Sequence, residues 1–108
     1  IAEKYCAAIS NPKITLPILP TDSKEHVWHL FVIRTLARKK LQTYFEENGI
    51  QTLIHYPIPP HKQRAYKYYN NLSFPITEQI HNEVLSLPIS PVMEDEEVEK
   101  VISVLNNY

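Results

Sequence analysis

Apolar and polar positions recur along this chain with two different periods, and the changes of period mark its elements. Ile1, Tyr5, Ala8 and Ile9 fall at helical spacing and predict a helix over residues 1–9, with no capping residue before it. Asn11-Pro12 breaks the pattern, and Leu16-Pro17-Ile18-Leu19-Pro20 reads as an extended, proline-punctuated connection. Val27 to Arg34 is a continuous apolar run rich in β-branched and aromatic residues, which predicts a strand covered on both faces. Thr35 is placed to cap a helix from about Leu36 to Asn48. Ala37, Leu41, Tyr44, Phe45 and Asn48 share one face of it, and Arg38, Lys39, Lys40 and Glu46 sit mainly on the other. Gly49 stands where a helix C-terminus favours positive φ, with Ile50 as its hydrophobic partner.

The second half is less regular. A short strand is expected at Gln51 to His55, followed by the segment Tyr56 to Tyr69. There Pro57, Pro59 and Pro60 forbid a central strand and stiffen the chain toward polyproline geometry. Pro75-Ile76-Thr77 opens a helix with Ile76, Ile80, Val84 and Leu87 in register, ended by Pro88, and a short extended piece is expected at Leu87 to Ser90. The last helix runs from about Glu94 to Asn106, with Val98, Val101, Ile102 and Leu105 on one stripe and a carboxylate-rich first turn suited to the positive end of the helix dipole. This order of elements predicts an α+β fold, a small and mostly antiparallel sheet with helices on one face.

Composition narrows the function classes. A net charge of -1 and a pI near 6.6 leave no electrostatic footprint for nucleic acid or anionic membrane. No stretch approaches the length of a membrane span. One glycine against nine prolines excludes a glycine-rich phosphate loop. Cys6 is alone, which fits a reducing compartment, and the protein is read as cytoplasmic. The chain starts at Ile1 in mid-pattern and its one methionine is Met93, so a segment of a longer protein is expected, with precursor processing as the alternative.

Five histidines raise a metal hypothesis, but none has neighbouring Cys or carboxylate residues at the spacing of a zinc site, and no metal is expected. His26 and His29, at or near the start of the predicted strand, would point to opposite faces. Cys6 lacks a sequence-local base and reads as a small buried residue, and Ser73, Ser86 and Ser90 lack a nucleophile elbow. No catalytic residue is assigned. The segment Thr52 to Tyr66 differs, because a strand there hands over to a rigid aromatic loop, where ligand contacts tend to sit. His55 and Tyr56 offer hydrogen bonds, and Lys62 and Arg64 offer cations for phosphate or carboxylate. From the residues alone the leading reading is a structural loop whose His and Tyr satisfy backbone groups, ahead of a ligand-contacting one.

Three stretches carry a resemblance. HVWHLFVIR (His26 to Arg34, followed by Arg38), NGIQTLIHYPIPPHKQRAY (Asn48 to Tyr66) and LSLPISPVMEDEEVEKVISVL (Leu85 to Leu105), in that order, resemble the C-terminal end of DegT/DnrJ/StrS-type sugar aminotransferases. The resemblance implies the small C-terminal domain of an aspartate-aminotransferase-like fold, residues 1–108 forming one such domain without the large cofactor domain. It implies a parent enzyme that uses pyridoxal phosphate and glutamate to aminate a nucleoside-diphosphate-linked keto-sugar, as a homodimer with sites at the subunit interface. The wording HYPIPPHKQ points toward dTDP-linked 3-keto-6-deoxy sugars. His55 and Tyr56 match the family's substrate-contacting pair and would make hydrogen bonds to the sugar nucleotide or donor carboxylate rather than transfer protons. His61, Gln63 and Tyr66 would hold the loop, and Trp28, His29 and Arg34 would serve packing. The lysine that bonds the cofactor belongs to the family's large domain, and Lys62 does not match it. The chain alone is therefore expected to be inactive and, with its docking faces exposed, to self-associate. The alternative is a stand-alone sugar-nucleotide-binding or interaction module with the same fold.

Overall fold

A computed structural model describes residues 1–108 and gives four α-helices and one antiparallel strand pair. The helices are α1 (Ala2–Ala8), α2 (Arg38–Glu47), α3 (Pro75–Glu83) and α4 (Asp95–Asn106), and the strands are β1 (Phe31–Arg34) and β2 (Val84–Leu87). The register pairs Phe31 with Leu87 and Ile33 with Leu85, which puts these four on one face. Single antiparallel bridges widen the sheet on both sides, Thr15 to Arg34 and Leu53 to Ser86. No helix is long and apolar enough to cross a membrane.

The core lies on the Phe31–Leu87 face. Tyr5 and Ile9 from the α1 segment, Leu41 and Phe45 from α2, and Val98, Val101 and Leu105 from α4 join the four strand residues in one buried cluster. Polar ties fix α1 against α4 at both ends. Lys4 meets Asp95 at 2.6 Å, Asn11 Nδ2 donates to the Leu105 carbonyl at 2.7 Å, and Asn106 Nδ2 donates to the Ala8 carbonyl at 2.9 Å. The α3 helix contributes nothing to this cluster; its one buried residue is Glu83, held by Arg34 from the other face of β1. The expectation of helices on one face thus holds for α1, α2 and α4, and not for α3.

Several element boundaries differ from the periodicity reading. Val27 to Leu30 are not strand. Trp28 has φ 50°, its N–H is taken by His26 Nδ1 at 2.8 Å, and Val27 is 90% exposed, so the run turns before it reaches the sheet. The expected strand at Gln51 to His55 is reduced to the Leu53 bridge. The helix expected to continue to Pro88 stops at Glu83, and Val84 to Leu87 pass into β2, leaving Ile76 and Ile80 on the surface. A helical register of apolar residues was here a helix followed by an all-buried strand. Thr35 is not the N-cap of α2; Ala37 is, and Thr35 Oγ1 accepts the Ala37 N–H at 3.3 Å one step earlier. At the C-terminus of α2, Gly49 has φ 71°, and the Gly49 and Ile50 amides return to the Glu46 and Phe45 carbonyls at 2.9 Å each. That closes the helix as expected.

Candidate functional site

Alternation along β2 sends Ser86 to the face opposite Leu85 and Leu87. His55 lies over that face: its Nδ1 is 2.8 Å from Ser86 Oγ. Two residues upstream, Leu53 exchanges both backbone hydrogen bonds with Ser86, at 2.8 and 3.3 Å, so the approach of this segment to β2 is set by backbone as well as side chain. The His55 ring has no other hydrogen-bond partner, the residue is half-buried, and Nε2 is not sealed from solvent.

Tyr56 follows through a cis peptide, with its ring edge-on to His55 at 5.5 Å between centroids. The residue is 64% exposed and its hydroxyl has no partner in the chain, while its carbonyl accepts from His81 Nδ1 of α3 at 2.6 Å. Backbone is anchored and side chain is free. The His81 carbonyl in turn accepts from Arg38 Nη1 of α2, so His81 ties α2, α3 and Tyr56 together.

Beyond Tyr56 the loop is held from inside. His61 is buried and its Nε2 meets Glu78 Oε1 at 2.8 Å, and the same oxygen accepts the Phe74 N–H at 3.0 Å. Phe74 packs edge-on to His61, centroids 4.8 Å apart. The His61 hydrogen bond, then the Phe74 N–H, then the Lys62 charge hold the Glu78 carboxyl below the usual carboxylate range. Gln63 Nε2 donates to the Ile58 carbonyl at 3.1 Å, so His61 and Gln63 do hold the loop as the family resemblance implied. Tyr66 is half exposed and makes no hydrogen bond through its side chain. Lys62 corrects the sequence reading, because its ammonium is spent on the Asn70 and Leu72 carbonyls at 2.9 Å each and does not stand free for an anion.

The other candidates fall elsewhere. Trp28 packs between His26 and Phe31, with centroids at 4.1 and 5.5 Å, and His29 is exposed. Cys6 is partly buried, its Sγ is 3.8 Å from the Pro17 carbonyl, and burial pushes its thiol up, which suits packing rather than nucleophilic attack. No three His, Cys, Asp or Glu side chains are grouped to share a metal ion. Sequence reasoning missed Ser86, His81 and Glu78. Ser86 had a readable signal: a lone hydroxyl inside the apolar run Val84 to Leu87 must find a partner once buried. His81 and Glu78 had none, since their partners are 25 and 17 residues away.

These elements are those of known enzymes. Residues 1–106 match the DegT/DnrJ/EryC1/StrS aminotransferase family, and the chain belongs to that family. It is 60% identical over 108 residues to dTDP-3-amino-3,6-dideoxy-alpha-D-galactopyranose transaminase of Aneurinibacillus thermoaerophilus, covering all of this chain and 30% of that enzyme. Among solved structures, S. venezuelae DesV in complex with a ketimine intermediate superposes with a TM-score of 0.89 at 36% identity, covering 98% of this chain and 29% of that one. NtdA from Bacillus subtilis with bound cofactor PMP gives 0.86 at 33% identity, covering 98% and 26%. The chain thus spans under a third of the length of the relatives it matches.

Proposed function

We propose that this chain is the C-terminal small domain of a pyridoxal-phosphate-dependent sugar aminotransferase with the aspartate-aminotransferase-like fold. The whole enzyme transfers an amino group from glutamate to a keto-sugar linked to a nucleoside diphosphate, and works as a homodimer. High identity to the dTDP-amino-sugar transaminase supports a dTDP-linked 3-keto-6-deoxy sugar as substrate. In this reading His55 and Tyr56 bind substrate. The observation that carries it is the contrast at Tyr56 and His55 between anchored and free atoms. One ring nitrogen of His55 and the Tyr56 carbonyl are tied down, while His55 Nε2 and the Tyr56 hydroxyl stand unpartnered on a stiff loop.

The cofactor does not fit this chain's own residues. Pyridoxal phosphate needs a free lysine amine and a phosphate cradle; Lys62, the lysine nearest the corner in sequence, has its ammonium on two carbonyls, and the one glycine serves the end of α2. No chemical step is therefore routed through the residues described, and the carbon chemistry belongs to other parts of the whole enzyme. What these residues do is bind and orient.

The test is expression of the full-length gene and measurement of visible cofactor absorbance and glutamate-dependent amination of a dTDP-linked 3-keto-6-deoxyhexose. His55→Ala and Tyr56→Phe should each raise KM for the sugar nucleotide by roughly tenfold, as expected for a lost hydrogen bond of about 1.4 kcal/mol. A colourless protein that binds sugar nucleotide without transferring nitrogen would favour a stand-alone binding module instead.

A further inference from the structure

We propose that Ser86 is a positioning residue that fixes His55 in the tautomer with its hydrogen on Nε2, so that the imidazole presents a donor to the ligand. Ser86 is 4% exposed in a strand whose other three residues are also buried. Its backbone N–H and carbonyl both pair with Leu53. The one hydrogen bond its Oγ makes is with His55 Nδ1, at 2.8 Å.

A serine hydroxyl has one hydrogen and accepts through its lone pairs, and a neutral imidazole has one nitrogen of each kind. If Nδ1 donated to Oγ, the serine hydrogen would be left buried with no acceptor, and the group would bear the desolvation penalty of an unmade bond. If Oγ donates to Nδ1, every hydrogen is used, and the ring hydrogen must sit on Nε2. Burial at Ser86 therefore selects the second arrangement. Nε2 is not sealed from solvent, so the selected tautomer leaves an N–H within reach of a ligand. The matching ligand atom is an oxygen acceptor, such as a sugar hydroxyl or carbonyl, a carboxylate or a phosphate. This last step rests on the substrate-binding reading of His55; the tautomer itself does not.

Long-range proton–nitrogen correlation spectra of the His55 ring, recorded on nitrogen-labelled protein above neutral pH, decide the matter. The wild-type ring should show a single tautomer with the hydrogen on Nε2. Ser86→Ala should release the ring to exchange between both tautomers, and Ser86→Thr, which keeps the hydroxyl, should restore the wild-type pattern. A wild-type ring with its hydrogen on Nδ1 overturns the proposal without any variant, and so does an Ala variant with unchanged ring signals. Failure of the substrate reading would instead appear as an unaltered KM in His55→Ala of the whole enzyme and would leave these spectra as they are.

Discussion

Arg34 places two donors, Nε at 2.9 Å and Nη2 at 2.6 Å, on the same oxygen of Glu83, while Gln79 Nε2 holds the other oxygen at 2.7 Å. Glu83 is the last residue of α3, and its carbonyl accepts the Thr35 N–H at 3.1 Å, so the junction of helix and strand is clamped to the end of β1 by side chain and backbone. The Gln79 hydrogen bond first, and the Arg34 guanidinium second, keep the Glu83 carboxyl below the usual carboxylate range.

Arg34→Ala should lower Tm and speed amide exchange at Thr35 and along β2, because a nearly buried carboxylate loses its charged partner. Arg34→Lys should recover only part of this, since an ammonium lacks the planar pair of donors. Equal Tm in wild type and Arg34→Ala would show that the clamp contributes nothing.

The His61–Glu78 clasp gives the loop its own pH dependence. Glu78 titrates below its ordinary value of 4.5 in the folded chain, so its contribution is complete above about that pH and is lost as pH falls through the lower folded value. Protection of the amides between Tyr56 and Phe74, measured against their intrinsic exchange rates, should therefore fall on acidification before that of α4 does. Glu78→Gln should lower the protection of the same amides already at neutral pH and remove the acid dependence of that protection. Loop and core amides that open together over the same pH range would refute a separate clasp.

How much of this could be read beforehand follows from the range of each interaction. The helices α1, α2 and α4 were legible because their apolar stripes and the Gly49 ending are local signals. Whether Val84 to Leu87 continued a helix was not, because the same spacing serves a buried strand, and the partner strand Phe31 to Arg34 lies far back in the first half of the chain. His55 and Tyr56 were visible as chemistry on a stiff loop. Ser86 showed in the sequence only as a lone hydroxyl in an apolar run needing a partner; that the partner is His55, 31 residues away, and that His81, 25 residues away, holds Tyr56, emerge only through the fold.

Tyr5 should set the alkaline limit of stability. It is wholly buried, its hydroxyl donates to the Pro88 carbonyl at 2.8 Å, and burial, with the Glu97 charge adding to it, pushes its phenol from 10.0 up to about 12. A raised folded value means that the contribution is intact below about pH 10 and is lost as pH rises toward 12. The loss by pH 12 should be on the order of 2 kcal/mol, because about half of the folded phenol is still protonated there. Tyr5→Phe removes the ionisable group, so its unfolding midpoint in urea should be lower at neutral pH and flatter between pH 10 and 12. An identical alkaline slope in both proteins would assign the loss to another group.

Gly49 tests whether α2 ends for a backbone or a packing reason. A Cβ built at this position would lie 3.5 Å from Lys100 Nζ, an ordinary contact with the far end of a flexible side chain, so space is available. The obstacle is the φ of 71°, where a non-glycine residue meets its own backbone. Gly49→Ala should cost about 1–2 kcal/mol, a fall in Tm of roughly 4–8 °C for each kcal/mol in a domain of this size. Gly49→Asn should cost less, because its short polar side chain tolerates the left-handed region. The ordering Gly, then Asn, then Ala in urea midpoints would assign the cost to backbone strain, since Asn is the bulkier of the two replacements. If Asn proves worse than Ala, crowding against Lys100 is the governing term and the helix ending is a matter of packing.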